Sequence, residues 1–390
     1  MPKYLVISSD GHAGPPADVY REYLDPAFRE AFDEHQAAVE AGQMVNTAFV
    51  EEWDEETGDH DMKAGYDPQV RDAILDQEGV AAEVLFPDAD VLGTGRLAKS
   101  PFGSGLGSGE GADPANVKAG ARAHNRWLAD FCATNPQRRI GVAVVPITAG
   151  VDDAVDQIRA AADAGLRGIL IPTRWFDAPA YLDRSYEPVW AACAESGLVV
   201  HSHSGAGPAD YTLGPGFLSI YAAEAWWWAA RPFWVLILSG VFERHPELKY
   251  SIAENGAWWV PDLVMRMDEK WEGGHNTRKF GDVFKLDLSM RPSDYVNRNC
   301  FFAASTPGVD EIDRRHAIGV DNLLWGNDLP HPEGTYPHTR KWIAERFRHV
   351  PEDETAKILG LNAAALYEVD VAALAELVER ICPAVADVHA

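Results

Sequence analysis

Cysteine is scarce in this chain. Cys132, Cys193, Cys300 and Cys382 are the four in 390 residues, and no two form a CxxC pair. That excludes a disulfide scaffold and a thiolate metal knuckle, and it predicts reduced, buried thiols in a cytoplasmic protein. Basic residues are also few: 34 Lys and Arg stand against 60 Asp and Glu, a formal charge of −26. Such a balance argues against a nucleic-acid or anionic-membrane partner, either of which needs a basic face. No apolar run is long enough to span a bilayer, and the opening Met-Pro-Lys leads into no secretory signal. What remains, 46% hydrophobic and 24% charged, is the composition of a soluble globular protein.

Short apolar runs with β-branched residues recur along the chain. They predict eight strands, at Leu5–Ser9, Ala82–Phe86, Ile140–Val145, Gly168–Ile171, Leu198–Val200, Tyr250–Ala253, Cys300–Ala303 and Leu323–Trp325. Amphipathic helical patterns lie between most of them, for example Val151, Val155, Ile158 and Ala162 before the fourth strand. Eight strand–helix units predict an α/β fold closed into a (β/α)8 TIM barrel, residues 1–390 forming one domain. The barrel is expected over about residues 3–335, with helices over about 336–385 packed on it. Gly79, Gly165 and Gly197 each follow a helix and read as left-handed stops at the bottom of the barrel. Loop insertions are expected at 43–66, 88–114 and 268–298. The glycine-rich 88–114 stretch reads as a loop over the barrel mouth. Asp59-His60-Asp61 reads as part of an exposed acidic loop rather than a metal site.

The strand ends carry the chemistry. Strand one runs into Asp10-Gly11-His12, and a carboxylate and an imidazole two positions apart on a strand share one side. Strand five runs into His201-Ser202-His203, strand six into Glu254, and strand eight into Asp328 followed by His331. Active sites of such barrels lie at these ends, so the residues form a His/carboxylate set suited to one divalent ion with an open position. Asp10, His12, His203 and Asp328 are the expected metal ligands. His201 and His203 share parity, so either can face the axis. His203, just before Ser204-Gly205, is preferred, and His201 is left to a supporting or substrate contact. The fourth strand ends in Ile171-Pro172-Thr173-Arg174 without the lysine that bridges two metals in many barrel hydrolases, which favours a mononuclear site. Arg174 is a candidate partner for a substrate carboxylate. Trp226-Trp227-Trp228 cannot all face the core, so part of this aromatic surface is expected to line the pocket or a subunit contact.

These motifs, taken in order, resemble the amidohydrolase-related family (amidohydrolase 2), which includes aminocarboxymuconate-semialdehyde decarboxylase and the resorcylate-type decarboxylases. Besides Asp10-Gly11-His12, the resemblance rests on Gly65-Tyr66-Asp67-Pro68, Glu78-Gly79-Val80, Ser239-Gly240-Val241-Phe242 and Gly326-Asn327-Asp328-Leu329-Pro330-His331-Pro332. It runs from about residue 4 to about residue 370. It implies a mononuclear Zn2+ or Mn2+ site, with Zn2+ expected first, and a homodimer or dimer of dimers. One position departs from the family: its decarboxylases carry a histidine at the end of strand six, where this chain has Glu254.

Two reactions on a small aromatic or unsaturated carboxylate or acyl compound share such a site. In one, an acid protonates the carbon that loses CO2. In the other, metal-activated water attacks an acyl carbon and Asp328 takes its proton. Asp328, Glu254 and His331 are the expected catalytic groups. The non-enzyme alternative is a metal-free barrel acting as a binding or scaffold protein, which has no need of acidic and imidazole groups at its mouth.

Overall fold

A computed structural model describes residues 1–42, 63–87, 102, 113–175, 177–205, 216–276 and 285–390. The strands are β1 (Ile7–Ser8), β2 (Ala82–Leu85), β3 (Arg139–Val144), β4 (Gly168–Leu170), β5 (Val199–His203), β6 (Tyr250–Ala253), β7 (Cys300–Ala303) and β8 (Leu323–Leu324). All neighbouring pairs are parallel and the order follows the sequence, β1 through β8. The two ends meet. Ser9 N donates to Trp325 O at 2.8 Å, His12 N donates to Leu329 O at 2.7 Å, and Gly11 bridges Leu329. The sheet is therefore a (β/α)8 barrel, as its alternating pattern predicts.

Helices return the chain from the top of each strand to the bottom of the next. They include α1 (Pro68–Glu78), α2 (Pro114–Ala133), α3 (Val151–Asp163), α4 (Glu187–Ser196), α5 (Phe217–Leu238), α6 (Val260–Asn276) and α7 (Pro292–Asn299). Local chemistry sets their ends. Asp67 accepts from Gln69 N and Val70 N, with Pro68 in the first turn, so α1 starts there. It stops at Gly79, whose φ of 81° is the left-handed conformation expected of it; Gly165 and Gly197 behave alike. Strand residues are buried almost without exception, because helices cover the outside and side chains fill the inside.

Strand five differs from expectation. Its ladder continues through His201, Ser202 and His203, paired with Ser251, Ile252 and Ala253 of β6, so both histidines lie within the strand. Two of the expected insertions lie largely beyond the described residues, Asp59-His60-Asp61 and most of 88–114 among them. The third is partly helical, being built from the end of α6 and from α7.

The C-terminal segment closes the lower end of the barrel. A nearly continuous helical run, Glu352–Leu366, contains a π turn at Lys357–Leu361. Gly360 lies so close to strand one that an added Cβ would meet Leu5 O at 2.3 Å. Trp325 N donates to Ile358 O, and Asn362 Nδ2 donates to Val320 O and Leu323 O.

Helix α5 divides its aromatic residues between two neighbours. Trp226 meets the Trp258 and Trp259 rings, while Trp227 and Trp228 lie near Arg231, which stacks 4.1 Å from the Trp175 ring. Trp227 is 40% exposed, so the three successive tryptophans do not share one environment. No helix among the described residues is long and apolar enough to cross a membrane.

Candidate metal centre

Period-two alternation places Asp10 and His12 on the same side of the chain leaving β1. Gly11 between them bridges the β8 side through Leu329, and His12 bridges Phe86 beyond β2. The backbone is thus held on both flanks, and both side chains are fully buried. Asp328 N donates to Asp10 O at 2.9 Å, which sets the β8 tip beside the β1 tip.

Three of the expected ligands converge. His203 Nε2 lies 3.1 Å from Asp10 Oδ1, and His12 Nε2 lies 3.5 Å from the same oxygen. Asp10, His12 and His203 each present a ligand atom within 4.8 Å of the other two. The fourth, Asp328, reaches His12 Nε2 with Oδ1 at 3.2 Å.

The tautomer of His12 decides what this arrangement can hold. Its Nδ1 lies 2.6 Å from Pro87 O and must carry the proton, because a carbonyl only accepts. Nε2 then presents a lone pair to two carboxylate oxygens. It is buried and makes no hydrogen bond, and neither does Asp328 Oδ1. Burial pushes the His12 pKa down, and the neighbouring His331 adds to the effect, so the ring does not resolve the conflict by taking a second proton. Asp328 Oδ1 has the His331 ring 3.1 Å away, whereas His12 Nε2 facing Asp10 Oδ1 sets acceptor against acceptor, an arrangement that a cation between them relieves. Two imidazoles and two carboxylates fit a divalent metal.

Around this set lies a second ring of acidic groups. Glu254 Oε2 is 3.3 Å from His203 Nδ1. Burial pushes its carboxyl well above the usual range, and the charges of Asp328 and Asp10 push it further. Asp328 itself stays ionised: burial opposes this, but the His331 imidazole beside it holds the carboxyl well below the usual range. Burial likewise opposes a charge on His331, yet Asp328 at 3.1 Å holds that ring protonated well above the ordinary value. Glu333 joins Glu254, Asp328 and His331 in one group of potential ligands.

Backbone strain gathers at the same place. Among described non-glycine residues, four have positive φ, and Glu254, Ser305 and Asp328 are three of them, at the tips of β6, β7 and β8. The turn after Glu254 is held from outside, since Ala257 N and Trp258 N donate to the Glu311 carboxylate. The Ser305 hydroxyl donates to Asp10 Oδ2.

His201 lies elsewhere. Its Nδ1 meets Ile169 O at 3.2 Å and its Nε2 meets the Tyr367 hydroxyl at 2.8 Å, so both ring nitrogens are engaged within the barrel. Gly168 makes room for it, because a Cβ there would come 2.4 Å from the imidazole. Arg174 is half-buried, with its guanidinium 5.2 Å from the Trp228 ring.

Comparison with known proteins gives this geometry a family. A sequence model described as amidohydrolase matches residues 98–369, more than half of the chain. The chain belongs to the amidohydrolase family. Among the relatives of this amidohydrolase is gamma-resorcylate decarboxylase of Rhizobium sp. (strain MTP-10005), 27% identical over 269 residues, covering 64% of this chain and 76% of the relative. Among solved structures, 5-carboxyvanillate decarboxylase from Sphingomonas paucimobilis superposes with a TM-score of 0.65 at 22% identity, covering 94% and 99% of the two chains. A dihydroxybenzoic acid decarboxylase from Polaromonas sp. JS666, with bound manganese and the inhibitor 2-nitroresorcinol, superposes with a TM-score of 0.60 at 18% identity, covering 94% and 98%. This amidohydrolase is an enzyme, a hydrolase or a carbon–carbon lyase, whose buried His and carboxylate groups could hold a metal ion.

Two residues of the centre escape sequence reasoning. Ser305 is ordinary in composition and acts only because its left-handed backbone turns the hydroxyl to Asp10. Glu333 left a weak signal, two positions after His331 on the same loop.

Proposed function

We propose that this amidohydrolase is a divalent-metal decarboxylase that removes CO2, without oxidation, from a small aromatic carboxylate. The observation that carries the reading is the buried His12 Nε2 facing the Asp10 and Asp328 carboxylates, with the Glu254 carboxyl alongside, 3.3 Å from His203 Nδ1. The decarboxylases among its relatives support the choice of reaction.

In this reading Asp10, His12, His203 and Asp328 hold the ion, and Glu254 and His331 serve the chemistry. When bound, the cation supplies Lewis-acid attraction for the oxygen anions of the substrate. Manganese is our preferred ion and zinc, first from sequence, the alternative: carboxylate oxygens are prominent around the site, and manganese occupies a similar barrel. Glu254 gives its proton to the ring carbon bearing the carboxylate. The bond from that carbon to the carboxylate then breaks, its electron pair returns to the ring, and CO2 leaves. Glu254 regains a proton from solvent. His331 keeps Asp328 ionised. Arg174 serves the outer end of the substrate, whereas His201, with both nitrogens occupied, supports the strand and does not touch substrate.

A homodimer or dimer of dimers is part of the same proposal, supported by the exposed Trp227 and Trp258. A cytoplasmic location is supported by four buried free thiols.

The test is direct. Manganese-loaded protein is incubated with a panel of hydroxybenzoates and released CO2 is measured. We expect turnover of at least one of them, and we expect Glu254→Gln to lose it about a hundredfold or more while still binding manganese. Silence on the panel together with hydrolysis of esters or lactones would reject the lyase. Hydrolysis is the second reading because Glu254 stands where the resembling decarboxylases carry histidine.

A further inference from the structure

A buried arginine stands behind the β1 and β8 tips. Arg71, on α1, is fully buried and so is its ion-pair partner Glu83 of β2. Its Nε and Nη2 donate to the Glu83 carboxylate at 2.8 and 2.7 Å. Its Nη1 donates to His12 O at 2.6 Å and to Ala64 O at 3.1 Å, and Nη2 also donates to Leu329 O at 3.3 Å. All five N–H donors of the guanidinium are thus used.

The partners are informative. His12 O belongs to a residue whose side chain faces the centre, and Leu329 O follows Asp328 directly. Leu329 O also accepts from His12 N, so one carbonyl joins both strand tips and the guanidinium. Gly11 leaves the space for this, since a Cβ there would stand 3.0 Å from Arg71 Nη2 and 3.5 Å from Glu83 Oε2. Burying an ion pair is a poor way to gain stability, because desolvation offsets most of the attraction and an apolar pair of similar volume often does as well. Its use here is explained by geometry. A rigid fork fixes three carbonyls that come from distant parts of the chain, which a lysine ammonium does not reproduce.

We propose that Arg71 is a positioning residue that sets the spacing between the β1 and β8 halves of the metal centre, and so sets its affinity for the ion. This rests on the metal reading above. Arg71 does not touch the ion, because its donors are spent on backbone and on Glu83.

The test measures the dissociation constant for Mn2+ alone, by electron paramagnetic resonance of the free ion, on the full chain. Arg71→Lys keeps the charge opposite Glu83 and loses the fork; we expect its constant to rise about ten- to hundredfold. Gly11→Ala pushes on the guanidinium without removing any buried charge, and we expect a smaller rise in the same direction. It keeps the test alive if Arg71→Lys does not fold. Arg244→Lys is the control. That arginine is partly buried and donates from Nε to Glu187 Oε1 at 2.8 Å, with no contact to Arg71, Glu83 or the candidate ligands, so its loss lowers thermal stability and leaves the constant unchanged. The inference is overturned if every folded variant of the first two binds Mn2+ within twofold of wild type, or if Arg244→Lys weakens binding as much as they do. Wild-type protein that binds no divalent ion removes the metal reading as well, which separates the two failures.

Discussion

Ser305 and Asp10, 295 positions apart in the chain, share a hydrogen bond in which the serine hydroxyl donates to Oδ2 and leaves Oδ1 facing His203 and His12. The serine thereby decides which oxygen of Asp10 is presented to the centre. Supporting bonds of this kind are worth about ten- to hundredfold in metal affinity. Ser305→Ala is expected to weaken manganese binding about tenfold, close to 1.4 kcal/mol, and titration against a chelator of known affinity checks it. Unchanged affinity would remove the serine from the centre.

Asp328 is expected to hold the ion and, with the His331 imidazole beside it, to remain charged. Asp328→Asn removes that charge and keeps the volume. Turnover is expected to fall by about a thousandfold or more, roughly 4 kcal/mol of barrier, while circular dichroism and the melting profile of the metal-free protein stay close to wild type. Near-normal turnover would exclude Asp328 from the reaction.

Tyr367 tests the place of His201. Tyr367→Phe leaves His201 Nε2 buried without its hydroxyl partner, at a cost of about 1–3 kcal/mol. Denaturant unfolding should register that loss. Manganese affinity and the Michaelis constant should not move. A raised Michaelis constant would return His201 to the substrate pocket.

His124 makes the fold sensitive to acid. It is buried on α2, and burial pushes its pKa from 6.5 down to about 4. Between those values the unfolded chain binds a proton that the native ring refuses. The stability this histidine contributes is therefore complete above pH 6.5 and drains away as pH falls towards 4, by about 2 kcal/mol at pH 5. His124→Gln removes the titration. Urea midpoints at pH 7 and pH 5 should differ less in the variant than in wild type; equal differences would contradict the assignment.

Much of this was legible before any coordinates. The eight strands and the Asp10, His12 and Asp328 positions follow from apolar runs that end in ligand-bearing residues, because a barrel exposes its chemistry only at strand ends. Parity placed His201 and His203 on one side but could not rank their depth, which depends on how far the β5 ladder runs. Arg71 was invisible for a different reason. In a helical stretch an arginine looks like a surface residue, and only tertiary packing shows that it is fully enclosed. Ser305 depends on a backbone conformation that serine seldom adopts, so composition carries no trace of it.

The floor of the barrel is supplied late. Gly360 rests on Leu5, Asn362 ties off the end of β8, and Tyr367 reaches up to His201. A gene fragment that stopped near residue 350 would encode every strand and every candidate ligand and still leave the cylinder open underneath. During synthesis the mouth residues all emerge before the segment that packs beneath them.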